Sequence, residues 1–442
     1  MKVRYITLYT LKELDKKTYE NFTKNHKTKS HFLQSYAWGE FSKAKKNLRP
    51  YYLGLLNNNE VVATTLLLEK KLPMGYKYYY APRGFVLDYQ NENIFKEMTR
   101  QIVKFVKSKK GIFIKIDPDI IYKSYNYLDK ENNIPYNGEK ILQMIKSTGF
   151  KHLGFTKNFE TMQPRYTFRI DLKQQLEEIE NHFSKTTKQR ISKSLKLETE
   201  VKIGTIDDIH TFYHLMTLTE ERKDFVSYTE DYYKKLYEIF NKDNKMTLFL
   251  GSVNIEKVLN NLEKHLEDIE KELSNIPTEN LSKSAKNKLK EFTRQKEIVL
   301  KDIEKYQKYM KEYGKSLILN AHMIIEYGNK AWVLYAGNHN ILTESYANYH
   351  TYYEHLKYCK EKGIEIYDQF GTIGDLKKDN PRLGLHEFKK KFGGDYVEFI
   401  GEFDYITNKL MYFVFTKLVP FYRKIIRNKS RKEIKNEVNR NK

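Results

Sequence analysis

The chain has 442 residues, of which 40% are hydrophobic and 31% charged, and its formal net charge is +22 at pH 7. This length allows two or three domains, and the charge favours a polyanionic partner, either nucleic acid or an anionic membrane face, although a general lysine bias would give the same sign. The single cysteine, Cys359, excludes an internal disulfide framework and a cysteine-based metal site, and we predict that it is a small buried apolar residue. We also predict no metal and no cofactor.

The N-terminal stretch shows no targeting signal. MKVRYITLYTLKELD has no apolar core of signal-peptide length and no small-residue cleavage site. The sequence contains no run of about 18 apolar residues, so no membrane-spanning helix is predicted. We therefore expect a cytoplasmic protein.

The first part of the chain predicts a domain of strands and helices. Alternating side chains at residues 3–9 indicate a strand, and residues 10–13 have the spacing of a helix capping box. The pattern then predicts a hairpin, a strand, an amphipathic helix and a further strand at residues 51–56 with 61–68, 76–80, 93–108 and 112–116. This order indicates an α+β domain with mixed, largely antiparallel pairing.

A similar order of elements returns in the second part. The predicted elements are a strand at 166–171, a basic helix at 185–196, a strand near Val201, helices at 209–221 and 232–240, a strand at 246–253, a hairpin at 316–326 with 330–336, and a helix at 346–360. The basic helix carries Arg190 among several lysines. It could attract RNA or anionic lipid, or it could be a solvated helix face.

Residues 254–314 differ in composition from their surroundings. Apolar residues from Leu259 to Leu273 recur at spacings of 3 and 4, which is a heptad seam, and a second seam runs from Leu281 to Tyr313. Pro277 separates the two seams because proline does not fit a helix interior. Two helices joined by a short turn predict an antiparallel coiled-coil hairpin in preference to a dimerising coiled coil.

The C-terminal part combines a strand end, a glycine-rich loop and a lysine cluster. An apolar segment ends at Asp368, a loop with Gly371, Gly374 and Gly384 follows, and lysines occupy positions 389–391. Residues 396–403 then alternate as one further strand. The loop could hold an anionic or acyl-transfer substrate, or it could be a surface turn with solvated lysines.

The end of the chain is apolar and then basic. An apolar run at residues 410–415 precedes residues 421–442, which contain nine Lys or Arg and two Glu. Such a segment could attach to an anionic membrane surface, or it could be a solvated tail.

Several motifs together resemble one bacterial enzyme family. The run GLHEFKKKFG from Gly384 to Gly393 resembles the C-terminal signature of the FemABX family, the tRNA-dependent aminoacyltransferases that build the interpeptide bridge of peptidoglycan. Further matches, in the family's order, are SHFLQS with Trp38, APRGFVLDY, IKIDPD, GFKHLGF, QPR and ERKDF. The resemblance covers essentially the whole chain and is nearest to the type that adds the first residue of the bridge.

The resemblance implies two tandem acetyltransferase-like (GNAT-like) subdomains with an inserted coiled-coil arm. We assign the first subdomain to residues 1–163, the second to 164–253 and 315–420, the arm to 254–314 and a basic tail to 421–442. The implied partners are an aminoacyl-tRNA and lipid II, the undecaprenyl-linked peptidoglycan precursor, with peripheral contact at the inner membrane leaflet. The arm resembles that of a seryl-tRNA synthetase, which suggests tRNA binding.

Aminoacyl transfer joins an activated ester carbonyl to an amine and needs no covalent nucleophile. The sequence has no GxSxG elbow and no pairing of histidine with Cys359, so positioning and electrostatic stabilisation should dominate. The resemblance implies that Lys389, preceded by Phe388, handles the aminoacyl-tRNA end and stabilises the transition state, and that Asp117 accepts the proton of the amine. From the residues alone, Lys389 could be one of three interchangeable surface lysines and Asp117 a loop cap.

Two positions depart from the pattern of diphosphate contacts in the family. Ser42 stands where family members have a lysine, with Lys43 directly after it. Tyr228 stands where they have an arginine, while Arg222 lies earlier in the chain. Lys43 and Arg222 could replace these contacts with a shifted backbone, or the lipid substrate could be held differently. Lys43, Arg222 and Tyr228 are all substrate-binding candidates. The remaining substrate-binding candidates are Arg83, which could instead be a structural guanidinium, Tyr335 and Asp368.

These observations predict an aminoacyltransferase. It would transfer glycine, or otherwise alanine or serine, from aminoacyl-tRNA to the stem-peptide lysine ε-amine of lipid II. One alternative is a non-catalytic tRNA- or RNA-binding protein with a basic surface and a coiled-coil arm. Another keeps the fold but uses acyl-CoA, although no glycine-rich pyrophosphate loop follows a strand.

Overall fold

The computed structural model describes residues 9–45, 48–223, 227–277 and 282–419, which form two β-sheets flanked by helices. The strands are β1 (Tyr9–Glu13), β2 (Leu48–Asn57), β3 (Glu60–Lys71), β4 (Lys77–Ala81), β5 (Gly111–Ile116), β6 (Ile121–Tyr125), β7 (Phe150–His152), β8 (Tyr166–Asp171), β9 (Thr199–Gly204), β10 (Met246–Asn254), β11 (Ser316–Tyr327), β12 (Lys330–Asn338), β13 (Ile366–Asp368), β14 (Asp395–Phe399) and β15 (Phe403–Ile406). The α-helices are α1 (Lys16–Asn25), α2 (Tyr36–Lys43), α3 (Glu92–Ser108), α4 (Gly138–Ser147), α5 (Leu176–Asn181), α6 (Lys185–Lys196), α7 (Ile209–Lys223), α8 (Glu230–Asn241), α9 (Ile255–Ser274), α10 (Lys283–Tyr313), α11 (Ala347–Glu361), α12 (Leu383–Lys390) and α13 (Lys409–Phe413). The predicted mixed α+β class is confirmed.

The first sheet has seven strands in the order β1-β2-β3-β4-β5-β15-β7. Its strand pairs are antiparallel except β4 with β5, which are parallel and are connected by α3. The apolar face predicted for α3 is buried in the core of this sheet, with Phe95, Met98 and Ile102 fully inaccessible. Burial of this face therefore holds the crossover helix on the sheet.

The second sheet has eight strands in the order β6-β14-β8-β13-β12-β11-β10-β9. Here β12 and β13 are the parallel pair, and α11 connects them. Cys359, on α11, is fully buried among apolar side chains, as predicted. Each sheet thus contains one strand–helix–strand unit, the repeated order that the sequence indicates.

The chain passes between the sheets near its C-terminal strands. The prediction of one strand at residues 396–403 is wrong, because β14 ends at Phe399 in the second sheet and β15 begins at Phe403 in the first. Gly401 lies between them with φ of 93°, a conformation that glycine adopts because it has no Cβ. In addition, β6 pairs with β14 in the second sheet, although it lies within residues 1–163. The subdomain boundaries stay a prediction. The pairs β6 with β14 and β5 with β15 each join strands from the two predicted subdomains.

α9 and α10 form a helical hairpin within residues 254–314. Lys296 of α10 lies 2.7 Å from Glu270 of α9, and Lys315, just after α10, lies 2.7 Å from Glu256 at the start of α9. These two contacts require the helices to run antiparallel. The apolar residues of the predicted seams pack together between the helices. Leu281, the predicted start of the second seam, lies outside the described residues.

The N-terminal region differs from its prediction. Residues 1–8, which hold most of the strand expected at 3–9, lie outside the described residues, as does the basic tail at 421–442. The predicted helix start at residues 10–13 is wrong, since these residues pair with β2 as part of β1. The helix starts at Lys16, where the Asp15 carboxylate accepts a hydrogen bond from the Thr18 backbone N–H at 3.0 Å. Pairing with a neighbouring strand outweighs the local capping pattern.

A buried ionic cluster connects two strands of the second sheet, β8 and β12, with the segments that contain Lys29 and Asp119. The Asp119 carboxylate accepts a hydrogen bond from Arg169 Nη2 at 2.9 Å and lies 3.4 Å from Lys330 Nζ, while Lys29 Nζ donates to the Asp119 backbone oxygen at 2.7 Å. Burial lowers the pKa of each of the two lysines to about 8. Burial by itself raises the pKa of Asp119. Arg169 and the two lysines surround the carboxylate, however, and keep its pKa well below the ordinary value.

The described residues contain no helix that is long and apolar enough to cross a bilayer.

Candidate active site

A cleft of about 380 Å³ lies between the two sheets, and we call it the central cleft. Its lining residues are Phe32, Leu33, Trp38, Ser42, Lys45, Leu48, Leu68, Lys70, Tyr78, Tyr80, Pro82, Met162, Gln163, Pro164, Tyr228, Tyr232, Leu334, Tyr335 and Phe370. The walls are mostly apolar and aromatic, with two lysines among them. Such a surface suits a ligand that combines a ring or apolar part with an anionic group.

Asp117 lies directly behind the wall of the central cleft. The hydroxyl of Tyr80, which lines the cleft, donates to Asp117 Oδ2 at 2.7 Å, and the backbone N–H of Arg83 donates to Oδ1 at 2.6 Å. Burial raises the pKa of Asp117 to about 7, against the lowering effect of the Arg83 charge. A carboxyl group with this pKa, connected to the cleft through a tyrosine hydroxyl, can exchange a proton near neutral pH.

Lys389 lies on α12, and its ammonium group contacts the loop that follows β13. Its Nζ donates to the carbonyl oxygens of Gln369 and Gly371, at 2.7 Å each, and to that of Phe370. Lys389 is 6% exposed and burial lowers its pKa to about 7, whereas the side chain of Lys390 is 37% exposed. The lysines of this cluster are therefore not interchangeable, and Lys389 holds the loop that brings Phe370 to the central cleft.

Asp368 supports the same loop, whereas Phe388 packs against α11. Asp368 accepts hydrogen bonds from the backbone N–H of Phe370 and from Arg169 Nε, both at 2.8 Å. The ring of Phe388 packs against that of Tyr349, with centroids 5.1 Å apart. Neither side chain lines the central cleft. Asp368 is thus placed where it can orient the loop, and Phe388 holds α12, which carries Lys389, against α11.

Lys43, the last residue of α2, and Lys45, just after it, lie in different surroundings. Lys43, the predicted phosphate contact, is exposed, lies 3.8 Å from Glu40 and does not line the central cleft. Lys45 does line it, with Nζ 4.7 Å from the ring centroid of Phe41 and 5.0 Å from that of Tyr232. Burial lowers the pKa of Lys45. Lys45 can therefore meet an anionic ligand in the cleft, and Lys43 does not line it.

Tyr228 and Tyr335, two predicted substrate contacts, both line the central cleft. The ring of Tyr228 stacks on that of Tyr232 with centroids 3.9 Å apart, and the hydroxyls of Tyr232 and Tyr335 are 3.0 Å apart. Tyr228 is 48% exposed, so its ring is open to a ligand. Burial raises the pKa of Tyr335 well above its ordinary value, which keeps this hydroxyl protonated as a hydrogen-bond donor.

The two predicted arginines do not line the central cleft. Arg83 is buried, its Nη2 donates to the Pro164 backbone oxygen at 2.6 Å, and its guanidinium lies 4.3 Å from the ring centroid of Phe399. These contacts favour the structural interpretation of Arg83. Arg222, near the end of α7, donates to Asn340 Oδ1 at 3.1 Å and lines a separate, smaller pocket.

Sequence reasoning did not select Tyr80, Lys45 or Lys70, although all three line the central cleft. Two signals were available. Tyr78 and Tyr80 alternate on β4, so they share one face of the sheet, and Lys45 belongs to the same short lysine run as Lys43. In the part of the chain that the structure describes, no group of three or more His, Cys, Asp or Glu side chains could hold a metal ion.

Comparison with known proteins defines the class of protein. The FemAB family model matches residues 14–419, and the chain belongs to this family. It is 30% identical over 416 residues to the lipid II:glycine glycyltransferase of Staphylococcus aureus, an alignment that covers 91% of this chain and 94% of the relative. The same identity and coverage are found for the protein of that name from S. aureus strain N315.

A solved structure agrees with this assignment. The crystal structure of FemX matches the present fold with a TM-score of 0.74 and 27% sequence identity, over 91% of this chain and 98% of FemX. The family resemblance expected from the motifs is therefore confirmed, and the two-sheet fold is the FemX fold.

Proposed function

We propose that this protein is an aminoacyltransferase of peptidoglycan bridge synthesis. It transfers an amino acid, glycine or otherwise alanine or serine, from an aminoacyl-tRNA to the stem-peptide lysine ε-amine of lipid II. The lipid II:glycine glycyltransferases that match over nine-tenths of the chain support the acceptor and the small donor residue. The observation that carries the proposal is the central cleft, which brings the Tyr80–Asp117 pair to the loop held by Lys389.

The proposed reaction forms a C–N bond between the lysine amine and the ester carbonyl and breaks the C–O bond to the ribose. The amine must lose a proton as it attacks. In the proposed mechanism, the Tyr80 hydroxyl accepts this proton while it passes its own proton to Asp117, to which it is already hydrogen-bonded. The raised pKa of Asp117, about 7, makes it a base that can return the proton through Tyr80 to the ribose oxygen, which leaves as a hydroxyl when the C–O bond breaks.

Lys389 contributes in the first place by positioning. An ammonium group has three N–H donors, and the three carbonyls of residues 369–371 accept from it. Contact with a developing oxyanion would require it to exchange one of these carbonyls for the substrate oxygen. In both cases the positive charge lies close behind Phe370 at the cleft wall, where it favours negative charge in the transition state.

The acceptor carries a diphosphate, and the central cleft offers two cations for it. Lys45 and Lys70 line the cleft together with Tyr78 and Tyr335. The lysines would neutralise the phosphate oxygens, and the aromatic rings would pack against the sugar of the precursor. Lys45 takes the role that the motif pattern predicts for Lys43.

The direct test combines the purified protein with lipid II and a panel of charged tRNAs, and reads the mass of the lipid product. The proposal expects a gain of one small amino acid residue with one tRNA, and no gain with the same tRNA uncharged. Lys389→Met should abolish the gain, and the matched variant Lys390→Met should retain it. If no charged tRNA produces a mass gain while the protein is folded and active in RNA binding, the non-catalytic alternative replaces the proposal.

A further inference from the structure

The central cleft has two sides that belong to different sheets, and the proposed reaction uses both. Tyr80 and Asp117, which we call the proton side, lie on or directly after strands of the first sheet. Residues 369–371, which we call the loop side, follow β13 of the second sheet. A displacement of about 1 Å between reacting groups can lower a rate on the order of a hundredfold. The two sides must therefore be fixed relative to each other.

Arg169, on β8, lies between the two sides. Its Nη2 donates to both carboxylate oxygens of Asp119, at 2.9 and 3.1 Å, and Asp119 is two residues after Asp117. Its Nε donates to Asp368 Oδ2 at 2.8 Å, and the other oxygen of Asp368 accepts from the backbone N–H of Phe370 at 2.8 Å. A continuous chain of hydrogen bonds thus leads from the segment of the proton side to the loop side.

The ring of Phe399 adds a second contact between the same groups. The guanidinium of Arg169 lies 4.9 Å from its centroid, and that of Arg83 lies 4.3 Å from it. Arg83 in turn donates its backbone N–H to Asp117 at 2.6 Å. The Arg169 side chain is 11% exposed and does not line the central cleft. Arg169 can therefore act on the reaction through the groups that it holds, without contact to the substrate.

Neutralising Asp119 does not by itself require Arg169. The buried Lys330 Nζ lies 3.4 Å from the same carboxylate and donates to the Thr28 backbone oxygen at 2.9 Å. In the described part of the chain, this ammonium group makes no hydrogen bond to residues 368–371. A guanidinium carries five N–H donors in a rigid fork and can join two carboxylates at a fixed geometry, whereas an ammonium group is a compact point charge. The bridge therefore distinguishes Arg169 from the second cation on Asp119.

We propose that Arg169 is a positioning residue of the transfer reaction, which fixes the loop side relative to the proton side by bridging Asp119 and Asp368. The inference rests on the proposed function for the reaction that is measured. Lys389 holds the carbonyl oxygens of the loop side, and Arg169 holds the Phe370 N–H by way of Asp368. The two cations thus orient one loop through different atoms.

The first test compares variants that each remove one cation from Asp119. Arg169→Met should lower kcat about a hundredfold and leave the KM for lipid II within twofold, because the loop is displaced while the residues that line the cleft are kept. Lys330→Met is the matched control, and it should lower the urea midpoint of unfolding to a similar extent while kcat stays within threefold. Arg169→Lys keeps the charge and loses the fork, so it should recover the urea midpoint and keep the low kcat. If Arg169→Met does not fold, Arg169→Lys carries this test.

The second test follows the loop itself and does not depend on activity. A fluorinated phenylalanine placed at residue 370 reports the surroundings of this ring by fluorine NMR. The wild type and Lys330→Met should give the same single resonance. Arg169→Met and Arg169→Lys should each shift this resonance or add a second one, because the loop side is no longer held in one position.

Two kinetic results would overturn the inference. One is an equal loss of kcat in Arg169→Met and Lys330→Met at an equal loss of stability, which would make Arg169 a structural cation. The other is full recovery of kcat in Arg169→Lys, which would show that the charge suffices without the bridge. If the fluorine pattern appears but the wild type transfers no amino acid, the proposed function fails and the bridge to the loop stands. If transfer occurs and the fluorine resonance is the same in every variant, the inference fails alone.

Discussion

The role of Asp117 can be tested with Asp117→Asn, which keeps the size of the side chain and removes its ionisation. The asparagine oxygen can still accept from the Arg83 N–H, and its amide can donate to the Tyr80 hydroxyl, so the local packing is preserved. If Asp117 takes the proton of the attacking amine, kcat should fall roughly a hundredfold or more, the usual contribution of a general base. The wild-type rate should rise with pH through about 7, where Asp117 ionises, and this rise should be absent in the variant.

The same substitution should stabilise the fold, although it lowers kcat. Burial raises the pKa of Asp117 from its ordinary value of 3.8 to about 7, so the folded protein binds this proton more tightly than the unfolded chain does. The wild type therefore loses stability as pH rises from 3.8 to about 7. At about 1.4 kcal/mol for each pH unit, the full loss is about 4 kcal/mol. Asp117→Asn does not ionise and should gain about this amount relative to the wild type between pH 4 and pH 8.

The assay pairs urea denaturation at pH 4, 6 and 8 with the rate of transfer over the same range. Tyr80→Phe is a useful companion, because it removes the link to the cleft and keeps the Asp117 carboxyl. It should lower kcat while leaving the pH dependence of stability in place. A stability difference between Asp117→Asn and wild type that does not change with pH would refute the buried, proton-binding carboxyl, and an unchanged kcat would refute its role as a base.

Three further predictions concern the surroundings of the cleft. Lys389→Met should lower kcat at least a hundredfold, because the carbonyls of residues 369–371 lose their donor. The kcat of Lys390→Met should stay within twofold of the wild-type value. Equal effects of the two substitutions in steady-state kinetics would contradict the role of Lys389. Lys45→Ala should raise the KM for lipid II about tenfold, whereas Lys43→Ala should leave this KM unchanged. If Lys43 is the phosphate contact, as the motif spacing predicts, Lys43→Ala should instead raise the KM and Lys45→Ala should not. Asp119→Asn should destabilise the fold by about 3–5 kcal/mol in urea denaturation, since it leaves buried cations unpaired, and a loss below about 1 kcal/mol would contradict the ionic cluster.

Much of the fold follows from local patterns. The amphipathic helix α3, the hairpin of β2 with β3 and the strand that ends before Asp117 were all predicted close to their observed positions. The family motifs also led to Lys389 and Asp117 before any contact was known. The errors occurred where a neighbouring strand decided the outcome, as at residues 10–13, where pairing with β2 replaced a predicted helix.

The candidate site was less accessible to sequence reasoning. The motif spacing pointed to Lys43, but the turn at the end of α2 directs Lys45 to the cleft and leaves Lys43 in solvent. Arg222 was expected at the acceptor diphosphate, and the structure places it in a separate pocket with Asn320. Such differences arise because a shift of one or two residues along a helix or turn changes the face on which a side chain lies.

The sequence by itself determined the family, the mixed α+β class and the inserted helical hairpin, because motifs and hydrophobic periodicity are properties of short segments. The tertiary structure decided which segments meet. It paired β15 with β5 and β14 with β6, which connects the two sheets, and it enclosed Asp117 beneath Tyr80 and Lys389 beneath residues 369–371. The perturbed pKa values of Asp117 and Lys389 come from burial by residues distant in the chain, and the local sequence does not predict that burial.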